Sequence, residues 1–408
     1  MYDHMLVALD GSEPSRCAGQ VALALATATG ARVTACHVYG AAIHRHRFAD
    51  MEPGLPAEYQ QQAKLTDLRT AHDKLMDEGF RALSTGYVEE FLALSQTTDV
   101  AVESVATEGR SYVGILQVAD SLRVDLIILG IHGLGAIDDG MLGGTTSRVL
   151  RNAPCDVLVT RRPPDDSPLL VGLDGSDAAL QAAAKAVALG QTLNKPIHLA
   201  AAYDPDFHTH IFSTMAHSLS PERQEEVGLA DQEKLHDDII NDGLGKLYAG
   251  FLRDAEQRLA TDGADIKTFL ITGKAYGALE AQARDSHADL IVVSRYGHHR
   301  ERCSRLGSNA EAIIRTTKSN VLLVGGVDAP LPAPEPPRHA VETIESGQAL
   351  TWEPDAKARL KRVPSFVRSM AKRAVESHIR ELGKSRICAQ DFDAVAARFG
   401  MGPRGDDK

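Results

Sequence analysis

The segment MLVALDGSEPS at residues 5–15 recurs 164 positions later as LLVGLDGSDAA at residues 169–179. A constant register over a whole half cannot arise by chance, so the chain contains an internal duplication. We place half one at residues 1–165 and half two at residues 166–328. Further anchors keep the same offset: Tyr39 and Tyr203, His72-Asp73 and His236-Asp237, Gly143 and Gly307.

Each half is predicted to alternate five strands with helices. The apolar runs that predict these strands are Met5–Leu9, Val33–Val38, Val100–Ala106, Leu126–Leu129 and Asp156–Thr160 in half one, and Leu169–Leu173, Ile197–Ala202, Asp265–Ile271, Leu290–Val293 and Asn320–Val324 in half two. Short apolar strands that alternate with helices are typical of parallel sheets, so we predict two doubly wound, five-stranded Rossmann-like α/β domains. Because ligands bind where strand order reverses, we expect a site between the first and fourth strands of each half.

A glycine-rich loop follows the fourth strand of each half. Glycines let backbone N–H groups approach phosphate oxygens, and a helix that begins after the loop directs its positive end at them. Asp10 and Asp174, at the ends of the first strands, could accept hydrogen bonds from ribose hydroxyls. The loop residues concerned are Gly130, Gly133, Gly143, Gly144 and Thr145 in half one, and Ser294, Gly297, Gly307, Ser308 and Asn309 in half two.

Together with the Asp-Gly-Ser turn, these loops resemble those of the universal stress protein family, whose nucleotide-binding members carry G-x2-G-x9-G-[ST]. The resemblance covers both halves and implies an adenine nucleotide alpha hydrolase-type fold, ATP or a related adenine nucleotide as ligand, and a regulatory role in stress responses. It also implies that Val38 and Ala202, at the ends of the second strands, line the sites. The alternative is that the glycines serve only tight turns, since some family members keep the fold without binding ATP.

The two copies depart from this motif in different ways. Half one has Gly144 where a hydroxyl residue is usual, whereas half two keeps Ser308 but has Ser294 for the first glycine. One hydroxyl hydrogen bond contributes about 0.5–1.5 kcal/mol net, so we expect the tighter site in half two. A replaced glycine should matter only where its φ is positive. Neither half has a GxxxxGK[ST] loop, so we expect a non-enzymatic protein with at most slow ATP hydrolysis.

Histidines also recur in register between the halves. On an extended segment, both imidazoles of a His-x-His pair would lie on one side, and a third histidine from a helix could complete a zinc (Zn) or iron (Fe) site. A metal-binding or redox-associated protein is therefore the alternative function. The competing interpretation is packing against aromatic rings or pairing with carboxylates. The candidate ligands are His44, His46 and His72 in half one, and His208, His210 and His236 in half two.

The C-terminus is predicted to carry a proline-rich linker at residues 329–350 and a small helical module at residues 351–400. The pattern W-x-P…L-x-x-V-P-x-F-x-R in this module resembles the small C-terminal domain of the B subunit of light-independent protochlorophyllide reductase. The catalytic domains of that enzyme are absent, so its activity does not carry over. We expect the basic face to meet an unidentified protein partner; its residues are Lys361, Arg362, Arg368, Lys372, Arg373 and Arg380.

Composition narrows the functional classes further. The net charge of −11 over 408 residues argues against nucleic acid as the main partner. No apolar run is long enough to cross a bilayer, and five scattered cysteines without a CxxC pair indicate reduced thiols. We therefore expect a soluble cytoplasmic protein in which the two halves form a pseudo-dimer, with a homodimer of the whole chain as a further option.

Overall fold

The structure of the chain is a computed structural model. Its two compact units are Met1–Ala202 with Ala255–Leu331, and Tyr203–Asp254 with Pro332–Lys408. The structure describes residues 1–135, 140–205, 213–229, 231, 243–260, 263–298, 305–327, 350–363, 368, 371–372, 375–376, 378–379, 382, 384 and 386–398.

Half one contains all five predicted strands, and every predicted strand end is confirmed to within two residues. The first helix begins where Ser12 accepts a hydrogen bond from the Ser15 N–H and ends at Gly30, which has a left-handed φ of 73°. The elements are β1 His4–Ala8, α1 Glu13–Thr29, β2 Arg32–Tyr39, α2 Ala41–Met51, α3 Gln62–Ser95, β3 Val102–Glu108, α4 Ser111–Ser121, β4 Leu126–Gly130, α5 Gly144–Asn152 and β5 Asp156–Thr160.

Half two repeats this order. Ser176 caps the first helix as Ser12 does, and Asn194 takes the left-handed position of Gly30 with a φ of 53°. The described elements are β6 Leu169–Leu173, α6 Asp177–Leu193, β7 Ile197–Tyr203, α7 Pro221–Glu226, α8 Gly245–Leu259, β8 Ile266–Thr272, α9 Ala275–Asp285, β9 Leu290–Ser294, α10 Ser308–Thr316 and β10 Asn320–Val324.

The ten strands form one sheet in the order β3-β2-β1-β4-β5-β10-β9-β6-β7-β8. Pairing is parallel within each half, and β1 lies beside β4 as β6 lies beside β9, which confirms the predicted switch points. The halves meet where β5 and β10 pair antiparallel, with Leu158 opposite Leu322. The two predicted sheets are therefore continuous, and one hydrophobic core contains residues of both halves.

Polar side chains flank this junction in a nearly symmetric way. The buried carboxylate of Asp156 accepts hydrogen bonds from the Gly325 N–H at 2.8 Å, the Tyr2 hydroxyl at 2.7 Å and the Lys185 ammonium at 2.5 Å. Burial and the neighbouring Asp156 carboxylate hold the pKa of Tyr2 well above its ordinary value. Asn320, at the equivalent position, accepts from the Arg161 N–H at 2.8 Å. Each half thus binds the backbone that follows the last strand of the other.

One buried cation at the junction has no counterpart in the other half. Arg295 is only 1% exposed, whereas Ile131 stands at the equivalent position of half one. Its guanidinium donates to the carbonyl oxygens of Gly325 and of Leu150, the latter near the end of α5. Burial lowers the pKa of Arg295, because two carbonyl oxygens replace only part of its hydration.

Asp156→Ala is expected to lower the free energy of unfolding by about 2–4 kcal/mol, because three donors lose a buried acceptor. Lys185 keeps access to water, which holds the loss below that of a fully buried ion pair. Urea unfolding followed by circular dichroism measures the change. Asp120→Ala is the control, since Asp120 is exposed. Equal stability of the two variants would contradict the role assigned to Asp156.

The C-terminal module forms its own small core around Trp352, which is 9% exposed. The predicted helices are accompanied by a short parallel strand pair that the sequence did not predict. Phe366 of the resemblance pattern and Arg373 and Arg380 of the predicted basic face lie outside the described residues. The described elements are β11 Thr351–Trp352, α11 Pro354–Arg362, β12 Arg386–Ile387 and α12 Ala389–Arg398.

The start of α12 is fixed by a carboxylate. Asp391 accepts hydrogen bonds from the Cys388 N–H at 2.9 Å and from the Lys384 ammonium at 2.9 Å. Burial alone would raise the pKa of Asp391, but the N–H and thiol of Cys388 and the charge of Lys384 outweigh it and lower the pKa to about 2. The ionised carboxylate therefore holds the helix start to the preceding strand.

Because the pKa of Asp391 is lowered in the folded module, its stabilising contribution is present above the unfolded pKa of about 3.9 and is lost as pH falls towards 2. Asp391→Asn is expected to destabilise the module at neutral pH and to remove that part of its acid sensitivity. Trp352 is the only tryptophan, so its fluorescence reports the module in the full chain. Asp355→Asn, at an exposed site, should keep the wild-type pH profile; the same profile in Asp391→Asn would refute the assignment.

The described helices and cysteines can be compared with what the composition predicts. None of the helices within the described ranges combines the length and apolar character needed to span a bilayer. Cys17, Cys36, Cys155 and Cys388 form no disulfide, and Cys303 lies outside the described residues. Burial raises the pKa of the Cys36 thiol to about 12, so it stays protonated.

Candidate functional site

A cleft of about 350 Å³ opens at the carboxyl ends of β1 and β4 in half one. Helices α4 and α5 form its sides, and the loop after β4 forms its rim. The cleft brings together all seven residues predicted for this half from the sequence, which are Asp10, Val38, Gly130, Gly133, Gly143, Gly144 and Thr145.

The aspartate after β1 is held by its own turn. Asp10 Oδ1 accepts hydrogen bonds from the Ser12 N–H at 3.0 Å and the Ser12 hydroxyl at 2.6 Å. A Cβ at Gly133 would overlap Asp10 Oδ2, so only glycine lets the loop lie against the carboxylate. In half two the corresponding residues, Asp174, Ser176 and Gly297, repeat this arrangement, and the His298 N–H donates to Asp174 Oδ2 at 3.1 Å.

The first glycine of the motif is required by close packing. Gly130 is not among the residues with positive φ, so backbone conformation is not the reason for its lack of a side chain. A Cβ there would lie 2.7 Å from Pro14 Cβ and 3.0 Å from the Ser15 nitrogen, at the start of α1. In half two Ala178 replaces this proline, and Ser294 fits with its hydroxyl donating to the Tyr296 carbonyl at 2.8 Å. The expectation that only positive φ would matter was therefore wrong.

The helices after the loops begin as predicted. Gly143 and Gly307 are the extended N-cap residues of α5 and α10, and neither helix start has a side-chain cap. The cap N–H groups donate to the carbonyls of Ile131 and Arg295, at 2.8 and 2.9 Å. Among the described residues, the next N–H groups of each first turn meet no acceptor and could bind an anion. They belong to Gly144 and Thr145 in half one and to Ser308 and Asn309 in half two.

The residues predicted to end the second strands lie one position before the observed ends, Tyr39 and Tyr203, and are buried in both halves. Val38 is 8% and Ala202 9% exposed, and Val38 forms part of the cleft wall. His37 also lines the cleft, with Nδ1 2.6 Å from the Leu9 carbonyl oxygen and its ring edge-on to Tyr87 at 5.2 Å. His37 could not be recognised from the repeat, because half two has Ala201 at the equivalent position.

A cation lies beside the start of α5. The Arg148 guanidinium donates from Nη1 to the Gly144 carbonyl at 3.1 Å and lies 5.3 Å from the centre of the Tyr112 ring. Half two has Ala312 at the equivalent position, so the charge is not repeated there. A duplicated motif could not reveal it.

The predicted metal ligands are arranged differently from the expectation. His44 and His46 lie on helix α2, where residues two apart point to opposite sides, so the expected extended segment was wrong. The His44 ring packs 5.0 Å from Phe80, and the His72 ring stacks 4.3 Å from Phe48.

His46 Nδ1 lies 2.7 Å from the Ala42 carbonyl oxygen, within its own helix. His208, His210 and His236 lie outside the described residues. Within the described ranges, no three His, Cys, Asp or Glu side chains are grouped to hold a metal ion.

The fold and the cleft define a class: a tandem, doubly wound α/β protein with an aspartate after the first strand and a glycine loop after the fourth. The model of the universal stress protein family matches residues 1–161 and again residues 167–325. The chain therefore belongs to the universal stress protein family. Residues 352–395 match the model of the proto-chlorophyllide reductase 57 kD subunit.

Several known proteins are similar to parts of the chain. A universal stress protein from Thermus aquaticus is 30% identical over 161 residues, which are 40% of this chain and all of that protein. One from Methanocaldococcus jannaschii is 28% identical over 165 residues, 40% of this chain and 84% of that protein. Among solved structures, a universal stress protein from Archaeoglobus fulgidus covers 79% of this chain and 98% of its own, at 14% identity and a TM-score of 0.47. A universal stress protein in complex with cAMP covers 40% and 98%, at 24% identity and a TM-score of 0.27.

Gly130→Ser places in half one the residue that half two carries at this position. Its Cβ meets the backbone of α1, so we expect a loss of about 1–3 kcal/mol in unfolding free energy. Gly135→Ser is the control, because a Cβ at Gly135 in the same loop meets no atom within 4 Å. Urea unfolding compares them, and equal losses would show that close packing does not explain Gly130.

Proposed function

We propose that this chain binds an adenine nucleotide, with ATP as the first candidate, in the half-one cleft, and that binding regulates its contacts with a protein partner. The observation that carries the proposal is the convergence of the seven predicted residues on one cleft. Its volume of about 350 Å³ lies within the range of roughly 300–1,000 Å³ that is usual for ligand sites.

The lining of the cleft combines apolar side chains with polar groups. Val38, Ile115 and Leu129 form an apolar wall suited to a flat base. Asp10 offers carboxylate oxygen to ribose hydroxyls, since a carboxylate accepts several hydrogen bonds and only Oδ1 is bound by Ser12. An apolar wall, an acceptor and a helix start are the three kinds of surface that a base, a sugar and a phosphate would need.

The phosphate end has two sources of positive potential. The first is the uncapped start of α5, where backbone N–H groups face the cleft. The second is Arg148, whose guanidinium lies within hydrogen-bond distance of the Gly144 carbonyl. This charge favours half one, although the retained Ser308 hydroxyl had favoured half two. We propose a second site of the same kind in half two, formed by Asp174, Ala202, Gly297, Gly307, Ser308 and Asn309.

Charge supports the proposed partner contact. Residues 351–398 carry a net charge of +5, whereas residues 1–328 carry −14. Lys357, Lys361 and Lys372 are exposed on the module. A basic surface attracts an acidic partner and speeds the encounter, so we propose an acidic protein as the partner. Nucleotide held between Asp10 and α5 would fix the loop after β4, and we propose that this change reaches the partner surface.

Isothermal titration of the full chain with ATP tests the nucleotide site. Asp10→Ala is expected to weaken half-one binding about tenfold or more, because an acceptor for the ribose is lost. Gly144→Ser is expected to tighten it by about two- to tenfold, since a Cβ there meets only the flexible end of Arg148 and the added hydroxyl reaches the phosphate side.

Asp174→Ala removes the equivalent carboxylate of half two and so distinguishes nucleotide binding by half two from binding by half one. Asp120→Ala is the surface control. Parallel titrations with ADP, AMP and cAMP identify the preferred nucleotide. Absence of heat at micromolar ATP for the wild type, or equal affinity of Asp10→Ala and Asp120→Ala for half one, would contradict the proposal.

A further inference from the structure

A second cavity of about 300 Å³ lies between α1 and α3 of half one. We propose that it binds an uncharged, planar aromatic compound with one hydroxyl or N–H group, of the phenol, naphthol or indole class. The proposal does not rest on nucleotide binding. Its walls are the apolar and aromatic residues Leu9, Gly19, Tyr87, Phe91 and Leu94.

Two glycines of half one shape the cavity. A Cβ at Gly11, where φ is 76°, would overlap the Tyr87 ring, and a Cβ at Gly19 would lie 2.9 Å from Phe91 Cδ2. The two rings therefore rest directly on the backbone of the turn and of α1. Two aromatic side chains in the wall favour a planar ring as ligand, since offset aromatic pairs are favourable at close range.

The charges at the mouth cancel each other. Arg16 Nε lies 2.8 Å from Glu90 Oε1, and both side chains are about half exposed. A charged ligand would therefore gain little from either residue and would lose part of its hydration on entry. An uncharged ligand avoids that cost. This balance is the reason for assigning an uncharged compound.

Tyr87 is the cavity residue that combines an aromatic ring with a hydroxyl group. Within the part of the chain that the structure describes, the Tyr87 hydroxyl makes no hydrogen bond, although its ring contacts His37. A ligand hydroxyl or N–H group near this phenol would satisfy both groups. The ring body would then lie against Phe91 and Leu94.

Most side chains that line this cavity are not repeated in half two. The mouth and wall residues differ in half two, where the equivalents of Arg16, Gln20, Tyr87, Glu90 and Leu94 are Leu180, Ala184, Phe251, Asp254 and Arg258. Gly19 is replaced by Ala183, whose Cβ occupies the position that Phe91 requires in half one. The duplicated fold therefore does not need these side chains, which argues for a use specific to half one.

The test uses 2-naphthol with the full chain, excited at wavelengths beyond tryptophan absorption. We expect saturable binding below millimolar concentration for the wild type. Leu94→Trp extends an indole across the mouth and should weaken binding at least tenfold, and Gln20→Trp does the same from α1. Tyr87→Phe, the residue found in half two, should weaken binding two- to tenfold, the effect of one hydrogen bond.

Two controls separate this cavity from the rest of the surface. Leu83→Trp adds the same indole to α3 at an exposed position outside the cavity, and Ser111→Trp adds it to the nucleotide-type cleft. Both should bind 2-naphthol as the wild type does. Absence of saturable binding by the wild type, undiminished binding by Leu94→Trp and Gln20→Trp, or loss on Ser111→Trp would overturn the proposal.

Discussion

An antiparallel ladder between β5 and β10 joins the last strand of one half to the last strand of the other, with Val157, Leu158 and Val159 opposite Leu323, Leu322 and Val321. Both strands are buried, so each supplies the other with backbone partners and with part of its apolar cover. Asp156 and Asn320 extend the contact by binding backbone N–H groups of the opposite half. This pairing joins the two five-stranded orders into one ten-stranded sheet.

The cleft of half one depends on close approaches that exclude side chains. Gly130 admits the start of α1, and Gly133 admits the Asp10 carboxylate. These contacts bring a carboxylate, an apolar wall and an uncapped helix start within one small volume. Gly19 on α1 likewise admits the Phe91 ring, and both residues line the second cavity.

The duplication made much of the fold predictable from the sequence. Apolar strands at a constant offset predicted the ten strands, and the Asp-Gly-Ser turns and glycine loops predicted which residues would meet in the cleft. Features that occur once escaped that comparison: at the positions of His37, Arg148 and Tyr87, half two has Ala201, Ala312 and Phe251. The short β11–β12 pair escaped because two-residue strands leave no periodic pattern.

Local propensity misled at one point. The sequence predicts an extended His-x-His segment, yet the segment from Ala41 to Met51 is helical. His44 and His72 pack on rings from the same insertion. Contacts with Phe80 and Phe48 determine their positions, and a pattern three residues long carries no information on such partners.

Arg295 shows what covalent fusion permits. In a symmetric dimer every substitution at the interface appears twice, so a buried guanidinium would enter with its twin and the desolvation cost would double. In this chain the position is occupied by the apolar Ile131 in half one. In half two it is occupied by Arg295, which donates to the Leu150 and Gly325 carbonyls. Linking the copies frees each interface position to change alone, so the two sites can diverge without separate subunits having to recognise each other.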